Sequence, residues 1–571
     1  MADDPNAQTD ALTATPAIEP APEVQTSSLA PMRHAIFRDV WFSSLASNFG
    51  GLIQSVGASW MMASITTSAA MVALVQASNT LPVVLLALVG GAISDNFSNR
   101  GVMLISQGFM LVVSILLAIA TLLGWMTPWL LLTFTFLIGC GSAVNGPAWQ
   151  SSVGEMVPRE DLPGAVALNS MNFNIARSVG PAIGGIIVAA AGAAAAFAVN
   201  AVSYVGLIWV LARWKAPVRP QLLPRESLWT AMHAGIRYVT MSPNIVSVLL
   251  RSSAFGFAAT ATLALMPLVA RDLLHGGPLT YGLLLGAFGI GAVAGALSTA
   301  RLRAMLSVEK LVQLSCGGFA ICGGLSAVSD IMIVTMLGLV IGGACWVMAL
   351  STFNVTVQLS APRWVVGRAL ALYQMFVFGG MALGSWVFGA IATHHGSAVA
   401  LQVAALASLA CGAIGMRWPL PQLAKLNLDP LARWQEPKIA VDIEPRSGPV
   451  VITIEYIIRD EDIVAFLHAM ADRRRMRLRD GARHWTLMRD LADPELWMER
   501  YHSPTWVEYV RQAQRMTHAD AVISDRVRAL HSGEKPPRVH RMIERQTNAM
   551  PRHSLHPHGV GDQHHPTVPH H

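Results

Sequence analysis

The sequence predicts an all-α polytopic membrane protein, twelve transmembrane helices in two similar six-helix halves, with a small α+β domain of ferredoxin-like order appended. Three observations carry this prediction. Of 571 residues, 53% are hydrophobic and only 13% charged, with mean hydropathy +0.46, whereas soluble domains carry about a quarter charged residues. A wholly soluble class is therefore excluded. The chain also repeats itself. Residues 153–187 align with 357–391 at an offset of 204, matching at Pro158/Pro362, Arg159/Arg363, Leu168/Leu372, Gly180/Gly384 and Gly185/Gly389 among ten identities in 35 positions. Chance in such a composition gives roughly one in ten. Finally, past Arg417 the composition turns abruptly polar.

Taken in order, residues 1–34 are rich in Ala, Pro, Thr and acidic side chains without apolar periodicity, which predicts a disordered cytoplasmic tail. A basic start with a short apolar core is missing near the terminus, so the first span is expected to act as its own targeting signal. Twelve spans of about twenty residues follow. The N-terminal half (35–212) holds 41–63, 71–94, 102–124, 128–149, 166–189 and 193–212. After a cytoplasmic connecting loop (213–245), the C-terminal half (246–417) holds 246–270, 281–300, 310–329, 331–353, 369–392 and 397–416. Alternate turns carry the cations, Arg33 and Arg38, Arg100, Arg159, Arg213 to Arg237, Arg301 and Arg303, Arg363 and Arg368, and Arg417, while the others carry only Arg271. The positive-inside bias then puts both termini in the cytoplasm.

Five cysteines lie inside apolar tracts, where they behave as small hydrophobes, so no disulfide framework or metal site is expected. Arg177 is a charge in the body of a span, which is costly unless it faces the bundle interior or a wet cavity. It is expected to pair across the seam between halves or to meet an anionic cargo. Asn48 and Gln54 in the first span are possible cavity residues, or partners of a neighbouring helix.

Six spans, a long basic connection and six more related in parallel match the layout of major facilitator transporters. Gly91, Asp95 and Arg100 resemble that family's loop signature, although Asn96 and Asn99 stand where basic residues are usual. Asp95 could latch to an arginine in only one of two rocked states, or it could merely end a helix while Arg100 anchors at headgroups. Gly180, Pro181, Gly184 and Gly185 resemble the antiporter motif of exporting members, and glycines there also suit close helix packing on its own. Together with Asn145-Gly146-Pro147-Ala148, the Pro158-Arg159 turn and Arg177, they resemble the drug and siderophore branch that includes enterobactin and macrolide exporters.

What this resemblance implies is alternating-access efflux of a small molecule from a bacterial inner membrane, driven by protons, in contact with the lipid bilayer and without cofactor or nucleic acid. Proton coupling needs a titrating acid, and Asp39 is the expected candidate, with a simple partnership to Arg38 as the alternative reading.

Residues 418–448, with five prolines, form a linker. The module at 449–545 reads as a strand at 450–456, a helix at 460–475, strands at 484–489 and 496–502, a helix at 505–531 and a strand at 538–543. Trp485, Arg489-Asp490 and Trp506 resemble the antibiotic-biosynthesis-monooxygenase-like domain appended to some of these exporters, which implies a dimerisation or regulatory role. The tail 546–571 is expected to be disordered, and its seven histidines have irregular spacing that assigns no metal site. Rival functions are a membrane-tethered monooxygenase-like enzyme and an importer or receptor of the same fold. Twelve spans with an internal repeat favour transport, because one span suffices for anchoring.

Overall fold

The structure is a computed structural model that describes residues 29–158, 160–215, 228–362, 364–421, 428, 439–441 and 443–544. The expected tails at 1–28 and 545–571, nearly all of the linker from 422 to 438, Arg159 and Arg363 lie outside the described residues. The chain divides into two compact units, one of residues 1–361 with 365–425 and one holding 426–571.

The first unit consists of long apolar helices: α1 (Ala35–Ile65), α2 (Ala69–Asn96), α3 (Asn99–Leu122), α4 (Pro128–Met156), α5 (Leu162–Arg213), α6 (Leu228–Thr240), α7 (Pro243–Leu268), α8 (Pro278–Met305), α9 (Val308–Val328), α10 (Met332–Ser360), α11 (Val366–His395) and α12 (Ser397–Arg417). Ten of the described helices are long and apolar enough to cross a membrane; α1, with Arg38, Asp39, Asn48 and Gln54, is not among them. Short polar turns start several of them. The hydroxyls of Ser68, Ser98, Thr127 and Ser307 accept from N–H groups of the first turns of α2, α3, α4 and α9, which would otherwise lack partners.

The repeat is visible in helix boundaries. Both α4 and α10 have 29 residues, and their first residues, Pro128 and Met332, stand 204 apart (332 − 128), as do Leu162 and Val366 at the starts of α5 and α11. The offset extends beyond the sequence match. Gly192 (φ 76°, ψ 175°) breaks α5 into two helices, and Gly396 (φ 87°, ψ 159°), again 204 later, separates α11 from α12. Such a backbone is open to glycine and strained for residues with a Cβ. Packing repeats too: α1 on α5, α2 on α4 and α3 on α4 have as counterparts α7 on α11, α8 on α10 and α9 on α10.

Two expectations change here. Residues 30–34 are part of the folded unit, with a 3₁₀ turn at Ala30–Arg33 and Pro31 buried. The connection expected as a loop over 213–245 contains the amphipathic helix α6, packed on α7 and α11. Its Gly235 lies against the Arg368 side chain.

The second unit has β1 (Val450–Ile457), α13 (Ile463–Asp480), β2 (Arg483–Arg489), β3 (Leu496–Ser503), α14 (Trp506–Gln514), α15 (His518–Ala529) and β4 (Arg538–Ile543). The strands form one antiparallel sheet in the order β2-β3-β1-β4. Alternate residues of β1 (Ile452, Ile454, Tyr456) and β3 (Trp497, Tyr501) bury one face against Phe466 and Met470 of α13, as the two-residue period of a strand dictates. The single helix expected over 505–531 is two. Thr517 accepts from the Asp520 N–H while its own N–H donates to the Asp520 carboxylate, a capping box that starts α15 afresh.

Candidate functional site: a small-residue seam and a polar cavity

The two helical halves meet along two helix pairs, α2 with α11 and α5 with α8. By the internal repeat α2 corresponds to α8 and α5 to α11, so each pair is the other's image, as in a two-fold interface. Small residues make the contact. A methyl on Gly185 would lie 2.8 Å from the Gly282 Cα, and one on Gly289 would lie 2.6 Å from the Ser178 Cα; on the other pair, a methyl on Gly389 would lie 2.8 Å from the Ala73 Cβ. Backbones thus approach as closely as side-chain-free helices allow.

Polar contacts join the same region: Ala70 N–H donates to Thr393 Oγ1 at 3.0 Å, Ser178 Oγ to the Gly289 carbonyl at 3.3 Å, and Arg271 to the Ala63 carbonyl. Trp60 stacks on Tyr281, ring centres 6.4 Å apart. Most of these residues lie near the end where α1 stops and α2 begins.

The motif glycines divide the labour. Gly180 and Gly184 receive Leu52, Ile53 and Val56 of α1, whereas Gly185 receives α8. Pro181, one turn before Gly185, presents its carbonyl to Gly282. Arg177 reaches across the same seam, its guanidinium 5.6 Å from the centre of the Phe288 ring and 6.0 Å from that of Trp346. Among the described residues it has no carboxylate partner, and the aromatic faces take that place. Those rings belong to an aromatic cluster of the C-terminal half, with Phe255 6.0 Å from Trp346 and 5.4 Å from Phe319.

Toward the opposite end, the N-terminal half holds a cavity of about 440 Å³ whose polar lining is mostly amides: Asn48, Gln107, Asn145, Gln150, Asn169 and Asn174. Among the described residues, no charged side chain lines it. Asn48 is held by Asn172 at 2.9 Å, which in turn donates to the Trp41 carbonyl at 2.8 Å. Gln107 Oε1 and Asn145 Oδ1 are buried without a hydrogen-bond partner, an arrangement that costs about 1–3 kcal/mol per group unless a donor arrives. The amides, with Ser44, Ser47 and Ser170, make a wall that offers both donors and acceptors.

Gln54 does not join this cavity. It is buried, bonded to Asn200, with Ser114 at 3.4 Å and Tyr204 completing the network, so it ties α1 to α3 and α5 rather than facing solute. Asp39 is half exposed at the start of α1, 3.4 Å from Arg38. Arg100 donates to the Leu211 and Ala212 carbonyls, both at 2.8 Å, completing the C-terminal end of α5. Gly91 lies within α2; the side chain of Asp95 is outside the described residues. Pro158 and Pro362 lie in the turns after α4 and α10.

One charged pair escaped the sequence reading. Arg251, 4% exposed in α7, is bound at 3.0 Å by Glu309 of α9, and Glu309 also accepts from Leu420 N–H at 2.9 Å while Arg251 donates to the Trp418 carbonyl at 2.8 Å. The pair fastens the chain leaving α12 to the base of its own half. An arginine within span 246–270 was its available signal. No group of three or more metal-ligating side chains occurs among the described residues.

Residues 26–548 match the profile of the family described as transmembrane secretion effector. Curated relatives include the enterobactin exporters of Salmonella typhi, 26% identical over 309 residues (53% of this chain, 73% of the relative), and of Citrobacter koseri, 25% identical over 309 residues (53% and 72%). Among solved structures, a mutant form of the nucleoside transporter NupG aligns with TM-score 0.57 at 12% identity, covering 67% of this chain and 99% of that one. A POT family transporter in complex with 5-aminolevulinic acid aligns with TM-score 0.55 at 12% identity, covering 68% and 96%. At such identity these two speak for the fold alone.

Proposed function

This chain belongs to the transmembrane secretion effector family of major facilitator transporters, and from that premise we propose that it exports a small molecule, of drug, macrolide or siderophore type, by alternating access with inward proton flow. The observation that carries the reading is the pairing of α2–α11 and α5–α8, closed through small residues at one end while an amide-lined cavity occupies the other. Twelve passes, counting α5 as two and omitting α6, put α1's start and α12's end on one side. The arginine-rich turns make that side cytoplasmic, so the arrangement corresponds to a state that loads cargo from inside. The relatives' names support a siderophore-like cargo, and a cavity with orphaned acceptors suits a solute with many hydroxyl or amide donors. Arg177 serves the seam, and the loop residues Gly91, Asp95 and Arg100 serve the cytoplasmic face.

The proton acceptor in this scheme is Asp39. Asp39→Asn tests it, since export that still collapses on adding a protonophore excludes that residue. The C-terminal module, with its sheet order β2-β3-β1-β4 and a split second helix, is read as a ferredoxin-like, monooxygenase-like accessory domain that pairs or regulates the transporter. Removing residues 440–571 is expected to leave measurable efflux; complete loss at normal membrane levels would overturn an accessory role.

The decisive experiment compares a deletion strain with its complemented parent for extracellular metabolites and drug sensitivity, with and without a proton gradient. Identical profiles under both conditions would refute export.

A further inference from the structure

The C-terminal module contains a cavity of about 590 Å³ between the buried face of its sheet and α13, α14 and α15, within the size range of small-molecule sites. Its walls mix tyrosines (Tyr456, Tyr501, Tyr509) with four arginines (Arg473, Arg477, Arg528, Arg541) and one carboxylate, Asp525, which Arg528 pairs at 3.6 Å.

Beneath them lies Glu499, fully buried in β3. Its carboxylate accepts from Arg473 Nε at 2.8 Å, Tyr456 OH at 3.0 Å and Trp485 Nε1 at 3.0 Å. Burial alone would raise its pKa, but the Arg473 and Arg477 charges outweigh that and hold it below the usual carboxylate range. Glu499 is therefore an anion whose hydrogen bonds satisfy Arg473, which also donates to Ser524 at 3.2 Å.

Arg477 is left over. Its Nε is 3.6 Å from Glu499, too far for a hydrogen bond, and that nitrogen is buried without a partner. The guanidinium lies 4.7 Å from the centre of the Tyr501 ring and makes no hydrogen bond among the described residues. Glu499 thus faces two guanidiniums, with the Asp480 carboxylate, held by Arg479, also acting on Arg477, and Arg477 keeps a set of free donors in the cavity wall. Arg541 stands at the exposed rim, donating to Tyr509 OH at 2.7 Å.

A guanidinium with idle donors in a largely enclosed wall is best completed by an anionic acceptor, which forms charge-assisted hydrogen bonds. Water could satisfy the donors, but it would leave Ile454, Met516 and the tyrosine faces wetted. We infer that this cavity is a binding site for a small aromatic carboxylate, its carboxylate taken by Arg477 and its ring lying among the tyrosines.

The test uses the full-length protein in detergent and does not depend on transport. The probe is 4-(trifluoromethyl)benzoate, followed by fluorine NMR line broadening, with the neutral 4-(trifluoromethyl)benzamide as control for partition into micelles. Broadening of the carboxylate beyond the amide is expected, with affinity about tenfold to a hundredfold weaker in Arg477→Ala, as loss of charge-assisted hydrogen bonds implies. Because Glu499 keeps its three hydrogen bonds in that variant, the module should still fold, and Arg541→Ala at the exposed rim gives a second reading with a smaller loss. Equal broadening by acid and amide, or unchanged affinity in both variants, overturns the assignment. Displacement by equimolar inorganic phosphate overturns the aromatic part of it.

Discussion

Replacing Gly282 by alanine puts a methyl where the seam has no room for one. It would lie 2.7 Å from the Gly185 Cα and 2.8 Å from the Pro181 carbonyl oxygen, whereas carbon atoms pack at about 3.5–4.0 Å. The obstacle on both sides is backbone, which no rotamer change can move, so α5 and α8 must separate by roughly 1 Å at that level. Overpacking of this kind costs about 1–3 kcal/mol, and each 1.4 kcal/mol is about tenfold in an equilibrium. The sealed arrangement should therefore lose population by roughly 5- to 150-fold relative to any state in which these helices part. Gly185→Ala, which meets Gly282 from the other side, should behave alike, and the double variant should cost less than the sum because the first methyl has already opened the gap. Spin labels at Thr67 and His275, exposed residues of the turns after α1 and before α8, report the change by pulsed distance measurement in lipid. The expected result is a longer distance gaining weight, together with reduced export. An unchanged distance distribution with unchanged export would refute both the seam and its role.

Four further outcomes follow from other sites. Arg177→Ala should abolish export while leaving membrane insertion normal, because the cation that bridges to Phe288 and Trp346 is gone; export at the parental rate removes that role. Gln107→Leu and Asn145→Leu each delete an unpartnered buried acceptor, so thermal stability should hold or rise while cargo affinity falls about tenfold; lowered stability with unaltered affinity would assign these amides to packing. Glu499→Gln leaves Arg473 without its counter-ion and should destabilise the C-terminal module by about 3–5 kcal/mol, read by urea denaturation followed through tryptophan fluorescence. Since the folded state holds the Glu499 pKa below its unfolded value of about 4.3, its contribution is present above that value and fades as pH falls through the lower folded one; acid titration of the module's unfolding should show this loss in the parent and not in Glu499→Gln.

Architecture was largely legible because it follows from bulk physics. Long apolar tracts must become helices in a bilayer, and the duplication is written in the residues as well as the folded chain. The offset of 204 recurs at the glycine breaks at 192 and 396, beyond the stretch aligned in the sequence. Seam partners were harder. Nothing local says that Gly185 meets Gly282, since the pairing is set by how two halves dock. Of the two readings open for Gln54, helix partner and cavity residue, the first holds, and spacing favoured it: Gln54 lies six residues from Asn48, about 240° further round a helix that turns 100° per residue. Glu499 likewise had a signal, standing between Trp497 and Tyr501 on the inward face of a strand. Its partners Arg473 and Arg477 sit four apart on α13, on one face of a helix whose arginine run reads as a solvated surface when taken residue by residue.

The proposed export cycle ties the cavity to the seam. Helices that touch through glycine and alanine have no long side chains to bridge a partial opening, so the contact is made or lost as a whole. Its loss is expected to cost a few kcal/mol, on the scale of the overpacking estimate above. At the other end, Gln107 and Asn145 hold two unsatisfied acceptors worth about 1–3 kcal/mol each. A solute shifts a two-state equilibrium only by its difference in affinity for the two states. Donors that pair with these acceptors in one state and are released in the other supply a difference of the required size. On the proposed alternating-access reading, these acceptors become the cargo's lever on the distant seam. Filling them with Leu at both positions should weaken cargo binding and also abolish any cargo-dependent change in the Thr67–His275 distance.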